Sequence, residues 1–143
     1  MNSIALAATP QLASLVDSIR LFLHVISATI WVGGQLTLAA LVPILKLADS
    51  NLPKKVARQY NKIAWPAYIL LVITGFWNVA AIGSGATSNY NLVLGIKMSV
   101  VALSGLAAYL HTKAKSTASL AMWGGLSGLF ALSATYLGVL LAG

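Results

Sequence analysis

His24 and Lys97 are the two residues of this sequence whose types and surroundings point most directly to chemistry. Each stands inside a long apolar run, where an ionisable group costs several kcal/mol unless it faces a cavity or meets a partner. An imidazole there supplies a ligand for a metal or for haem iron, and an ammonium supplies a countercharge or a hydrogen-bond donor. The chain has two histidines, three methionines and no cysteine. Disulfides, thiolate zinc sites and thiol nucleophiles are thereby excluded. Imidazole and thioether remain as ligands, and Met98 stands next to Lys97.

Spacing sets what these residues can do together. At 1.5 Å rise per helical residue, His24 lies roughly 6 Å below Arg20 and Lys97 about 9 Å below Asn91, which puts both at one depth in the same half. His111 is about 21 Å along its helix from Lys97, too far for His24 and His111 to ligate one metal or clamp one haem. A site at His24 therefore needs a further ligand: a water, the Met98 thioether, or a second His24 across a homodimer. The structural alternatives are an imidazole that hydrogen-bonds a neighbouring helix and a Lys97 that snorkels its ammonium to the headgroups. His111, beside Lys113 and Lys115, reads as interfacial.

The elements that must position these residues are helices in lipid. The chain has 143 residues, of which 59% are hydrophobic and 8% charged, and its mean hydropathy is +0.86, too apolar for a soluble domain. A spanning helix takes about 20 predominantly apolar residues, and four stretches qualify, at about 21–45, 60–82, 91–111 and 117–141. Pro43 is expected to kink the end of the first. The turn Asp49-Ser50-Asn51-Leu52-Pro53 leads to Lys54, Lys55, Arg58 and Lys62 on an interfacial extension of the second.

Seven of the nine basic residues lie in two clusters, Lys46 to Lys62 and Lys113 with Lys115, between spans one and two and between spans three and four. The positive-inside rule makes those loops cytoplasmic and leaves both termini outside. A polybasic groove with stacking aromatics is missing, which excludes nucleic acid as a partner. No basic residue precedes Arg20, and the apolar run after it is too long for a secretory h-region, so the N-terminal segment reads as mature protein. The expected fold is an all-α integral membrane protein of the plasma membrane, one domain over 1–143, built as an antiparallel up-down bundle of four transmembrane helices.

Helical spacing puts His24, Ser27, Trp31 and Gln35 on one face of the first span, and Tyr90, Lys97, Val101, Ser104 and His111 on one face of the third. Both faces are read as turned into the bundle. Thr74, Trp77 and Asn78 on the second span and Ser133 and Tyr136 on the fourth reach the His24 layer, enclosing a polar pocket on the outer side. Trp31, Trp65, Trp77 and Trp123 also fit the role of packing or interface anchors. Gly33, Gly34 and the GxxxG pair Gly124 and Gly128 allow close helix approach, within the monomer or in a homodimer.

The run Leu23-His24-Val25-Ile26-Ser27-Ala28-Thr29-Ile30-Trp31-Val32-Gly33-Gly34 resembles the opening of the copper resistance D (CopD) membrane domain family, with its histidine, tryptophan and paired glycines. Pro43 falls where that family often has a proline. The resemblance continues through Trp65-Pro66-Ala67, Thr74-Gly75, and Tyr90, Leu94, Gly95 and Lys97, covering most of the chain from Leu21 to Lys115. It implies a plasma-membrane protein of copper uptake or tolerance and singles out His24 and Lys97. The layout is also similar to HemJ-type protoporphyrinogen oxidases, small four-helix membrane proteins with a histidine on helix one and a lysine on helix three. That likeness implies haem b at His24, although Gly33-Gly34-Gln35-Leu36-Thr37-Leu38 stands where those proteins carry an aromatic and arginine-containing sequence.

The leading expectation is a copper-handling membrane protein with a metal at His24 and Met98, or a haem, near the outer face. The alternative from the enzyme class is a haem b-binding oxidoreductase in which His24 ligates iron and Lys97 pairs with a propionate, with Trp31, Trp77 and Tyr90 along the ring. The third is a small structural subunit of a larger membrane complex, without a cofactor. Transport would need a polar path inward past Trp31, Gln35, Ser104 and His111.

Overall fold

The computed structural model describes residues 11–142, so the reading of the first ten residues as mature protein lies outside it. The chain folds as α1 (Leu15–Ala28), a π-helical turn (Thr29–Gly33), α2 (Gly34–Ala48), α3 (Leu52–Ile82), α4 (Ser88–Lys113) and α5 (Thr117–Ala142). α1, the π turn and α2 form one unbroken helical run. No strand occurs among the described residues.

Each boundary has a local cause. α1 starts ahead of the first apolar span because Ser14 caps it: its hydroxyl accepts the Asp17 N–H at 3.1 Å and donates to the Asp17 carboxylate at 2.7 Å. Asp17 also pairs with Arg20 at 2.9 Å. The first helical run continues past Pro43 and closes at Ala48, where Asp49 turns extended and its Oδ1 accepts the Asn51 N–H at 2.8 Å. Pro53 then opens α3 in its first turn, where its missing N–H is no loss. Lys54, Lys55, Arg58 and Lys62 thus lie on the first three turns of α3, as an extension of the second apolar span. Gly83, at φ +70°, ends that helix in a conformation that suits glycine alone. Thr87 caps α4 by accepting the Tyr90 N–H at 3.2 Å, and Ser116 accepts the Ser119 N–H at 3.1 Å at the start of α5.

Four helices, Leu15–Ala48, Leu52–Gly85, Ser88–Lys113 and Thr117–Ala142, are long and apolar enough to cross a membrane. Their packing is inverted relative to a water-soluble bundle. The residues turned inward are mostly small or hydroxylic: Ala64, Ala67, Ala107, Ala131, Ala134, Ser27, Thr74, Ser104 and Ser127, with Trp31 and Leu71 as the bulky members. Large apolar side chains point out, Leu47 at 89% exposure and Val139 at 68% among them. Small residues let helix backbones approach where lipid gives no hydrophobic drive between helices, and an apolar exterior suits contact with acyl chains.

Cross-helix contacts fix the register. His24 meets Thr74 while Trp31 packs edge-on against Trp65 and at a tilt against Tyr68, so the first helical run and α3 are antiparallel. Lys97 lies against Gly138 while His111 reaches Leu120, so α4 and α5 are antiparallel as well. Tyr68 donates to the Val101 carbonyl at 2.9 Å and its ring fills the space beside Gly105, joining α3 to α4.

Candidate functional site

His24 is half-buried, and its Nδ1 lies 2.9 Å from the Thr74 hydroxyl. The Thr74 oxygen also lies 2.8 Å from the Leu70 carbonyl and 3.1 Å from that of Leu71, and it donates its single proton to them. It is therefore the acceptor toward His24, and Nδ1 carries the N–H. In the neutral ring the lone pair is then on Nε2, the arrangement of a ligating histidine whose other nitrogen is held by a neighbouring oxygen. Thr74 itself is fully buried, so this orientation is fixed by the bundle interior.

The layer around His24 draws on all four helices. Gly75 sits beside the imidazole, where a Cβ would stand 3.7 Å from Cε1. The Lys97 ammonium lies over Gly138, 3.0 Å from the place a Cβ would take. Two glycines thus make room for the two ionisable side chains that sequence spacing places at one depth.

Unpartnered polar atoms bracket this layer. One turn outward from His24, Arg20 has a buried Nε with no partner; one turn outward from Thr74, Asn78 has a buried Oδ1 with none. One turn inward, the Ser27 hydroxyl is also buried and unpartnered, and about two turns further along the same run so is Gln35 Nε2. Such atoms are costly in a low-dielectric interior and mark a place where a polar group is expected. The chain has only two carboxylate side chains, Asp17 and Asp49, and neither pairs with Lys97. Among the described residues Lys97 has no carboxylate partner, while Arg20 has Asp17.

Below it the helices are tied by side-chain hydrogen bonds. Trp31 donates Nε1–H to Ser104 Oγ at 3.1 Å, and Ser104 donates to the Ser127 carbonyl at 3.0 Å. Ser127 in turn reaches the Ser104 carbonyl at 3.1 Å and Gln35 Oε1 at 2.9 Å, a reciprocal serine clamp between α4 and α5. The π turn is held by Tyr60, whose hydroxyl lies 3.0 Å from the Ile30 carbonyl and 3.1 Å from that of Trp31. Its ring occupies the space that a side chain at Gly34 would need. π turns free carbonyls of this kind and recur at functional sites.

The other residues singled out from sequence are dispersed. Trp31 is buried but committed to Ser104, and Trp77 is 42% exposed on α3. Tyr90 stands in the first turn of α4. Met98 lines an open groove of about 600 Å³ with Phe76, Val79, Asn91, Leu94, Gly95 and Ser99, a face that does not include His24. His111 Nδ1 donates to the Leu120 carbonyl at 2.8 Å and its ring packs on Gly124, so that glycine serves packing within the monomer. Tyr136 points outward. No group of three or more His, Cys, Asp or Glu able to hold a metal ion occurs among the described residues.

Sequence reasoning missed Tyr60 and Tyr68. Each is a large ring set against a glycine of another helix, a pairing that sequence spacing does not reveal. No family model, curated protein or solved structure matches this chain.

Proposed function

We propose that this is a multi-pass plasma-membrane protein that binds haem b through His24 near one face of the membrane. The basic ends where the first helix meets the second and the third meets the fourth face the cytoplasm, which puts the His24 layer and both termini on the outer side. The observation that carries the reading is the His24–Thr74 bond, which leaves Nε2 as the free ligating nitrogen. Haem brings its own four nitrogen ligands and needs only one from the protein, whereas a bare copper ion would meet a single imidazole flanked by Lys97 and Arg20. Haem also carries two carboxylates, one of which would suit the Lys97 ammonium, while the Arg20 guanidinium is already paired with Asp17 at 2.9 Å and offers only its Nε–H.

Bound haem supplies one-electron redox chemistry. Thr74 orients His24, Gly75 and Gly138 leave space for the two ionisable side chains, and Lys97 would pair with a carboxylate of the group. The serine clamp and Trp31 fill the bundle below, which favours a bound cofactor over a path for ions through the monomer.

Copper handling is the second reading, favoured by the same free Nε2, with a water or a second copy of the chain completing the ligand set. The visible spectrum of the chain purified in mild detergent, with iron and copper measured on the same sample, separates the two. A Soret band with near-stoichiometric iron, lost in His24→Ala, supports haem. A colourless protein holding copper that depends on His24 supports the second reading, and neither metal sinks both.

A further inference from the structure

The basic end of the bundle presents a second site, independent of what His24 binds. Asn51, Lys54, Lys55 and Arg58 enclose a concavity of about 260 Å³ at the turn between α2 and α3. Lys54 and Arg58 are four residues apart and so share a face of α3. Lys46, Lys62, Lys113 and Lys115 stand at the same end of the bundle, so seven of the chain's nine basic residues gather there.

The chain cannot neutralise this charge itself. Of its two carboxylate side chains, Asp17 pairs with Arg20 at the opposite end. Asp49 is taken by the Asn51 N–H at 2.8 Å and by Lys55 at 3.5 Å. Lys54 and Arg58 therefore have no carboxylate side chain to meet. Lys54 and Lys55 also lie in the first turn of α3, where positive charge is unfavourable against the helix dipole. An anion seated between them relieves both repulsions.

We infer that the concavity bounded by Asn51, Lys54, Lys55 and Arg58 binds the phosphate of an anionic lipid headgroup. The volume suits a phosphate with part of its glycerol. Ile44 and Leu47, one helical turn apart on the run leading into the turn, are 64% and 89% exposed and offer acyl chains an apolar surface beside it. Of the aromatics toward this end, Tyr60 is bonded to the π turn and Trp65 packs on Trp31, while the exposed Tyr109 ring lies on α4 beneath the Lys113 ammonium. Basic pockets at the cytoplasmic ends of spanning helices take phosphate headgroups by this charge logic. The inference rests on the helices spanning a membrane, and not on haem.

The full chain in neutral detergent micelles, titrated with short-chain phosphatidylglycerol and followed by thermal unfolding, tests it. The wild type should gain stability with phosphatidylglycerol and not with phosphatidylcholine. Lys54→Gln with Arg58→Gln should raise the half-saturating lipid fraction about tenfold or more. Lys113→Gln with Lys115→Gln, which removes equal charge from the same end, should leave it unchanged. Arg58→Gln alone, with a smaller expected rise, serves if the double variant does not yield folded protein. Equal losses in the two double variants, or an equal response to phosphatidylcholine, would overturn the site. Full stabilisation by inorganic phosphate at the same concentration would overturn the lipid source.

Discussion

A single hydroxyl decides what His24 can do. Thr74 gives its one proton to its own helix, so it can only accept from the imidazole, and the ligating lone pair follows from that. Thr74→Val keeps the shape of the side chain and removes the acceptor. It is expected to weaken cofactor binding tenfold to a hundredfold, the usual effect of losing the group that orients a ligating histidine. Thr74→Ser should bind nearly as the wild type does. Titration of the cofactor into the three proteins measures this, and unchanged affinity in Thr74→Val would remove Thr74 from the account. Much of this layer was legible in the sequence. The helical rise alone puts His24 and Lys97 at one depth and Thr74 near it. The glycines opposite them and the unpartnered atoms of Arg20, Ser27 and Asn78 were not legible, because they depend on which helix faces which.

The elements are governed by small residues meeting large ones. Helical spacing in the sequence put Ser27, Trp31, Gln35 and Ser104 on inward faces, and all four lie there because a 3.6-residue period survives in any bundle. The π turn between Thr29 and Gly33 had no signature, since none of its residues differs from those of an ordinary apolar helix. Its cause lies in another helix, where Tyr60 seats its ring in the Gly34 notch and binds the freed carbonyls. Gly34→Ala would force the two helices apart and should cost about 1–3 kcal/mol, as overpacking usually does. Tyr60→Phe keeps the ring and should cost about 1 kcal/mol through the lost hydrogen bonds. Thermal unfolding in detergent measures both, and a fully stable Gly34→Ala would refute the clamp.

At the scale of the molecule, the proposed orientation follows from charge rather than shape. The basic residues gather at one end of the bundle and the His24 layer lies toward the other, an asymmetry that the sequence displays because loops this short leave the charges nowhere else to go. The chain has no cysteine, so single replacements report topology without background labelling. Ser50→Cys and Ser116→Cys, at exposed turns of the basic end, should react with a membrane-impermeant maleimide only after the cells are opened. Ser84→Cys, at the exposed turn after α3, should react on intact cells, and the reverse pattern would invert the orientation. The central claim, that His24 is the cofactor's ligand, is tested most directly by His24→Gly with imidazole added back. Haem titrated into the wild type should give a Soret band that saturates near one equivalent, His24→Gly should lose it, and free imidazole should restore it. A His24→Gly protein that binds haem as tightly as the wild type, with no response to imidazole, would contradict the account.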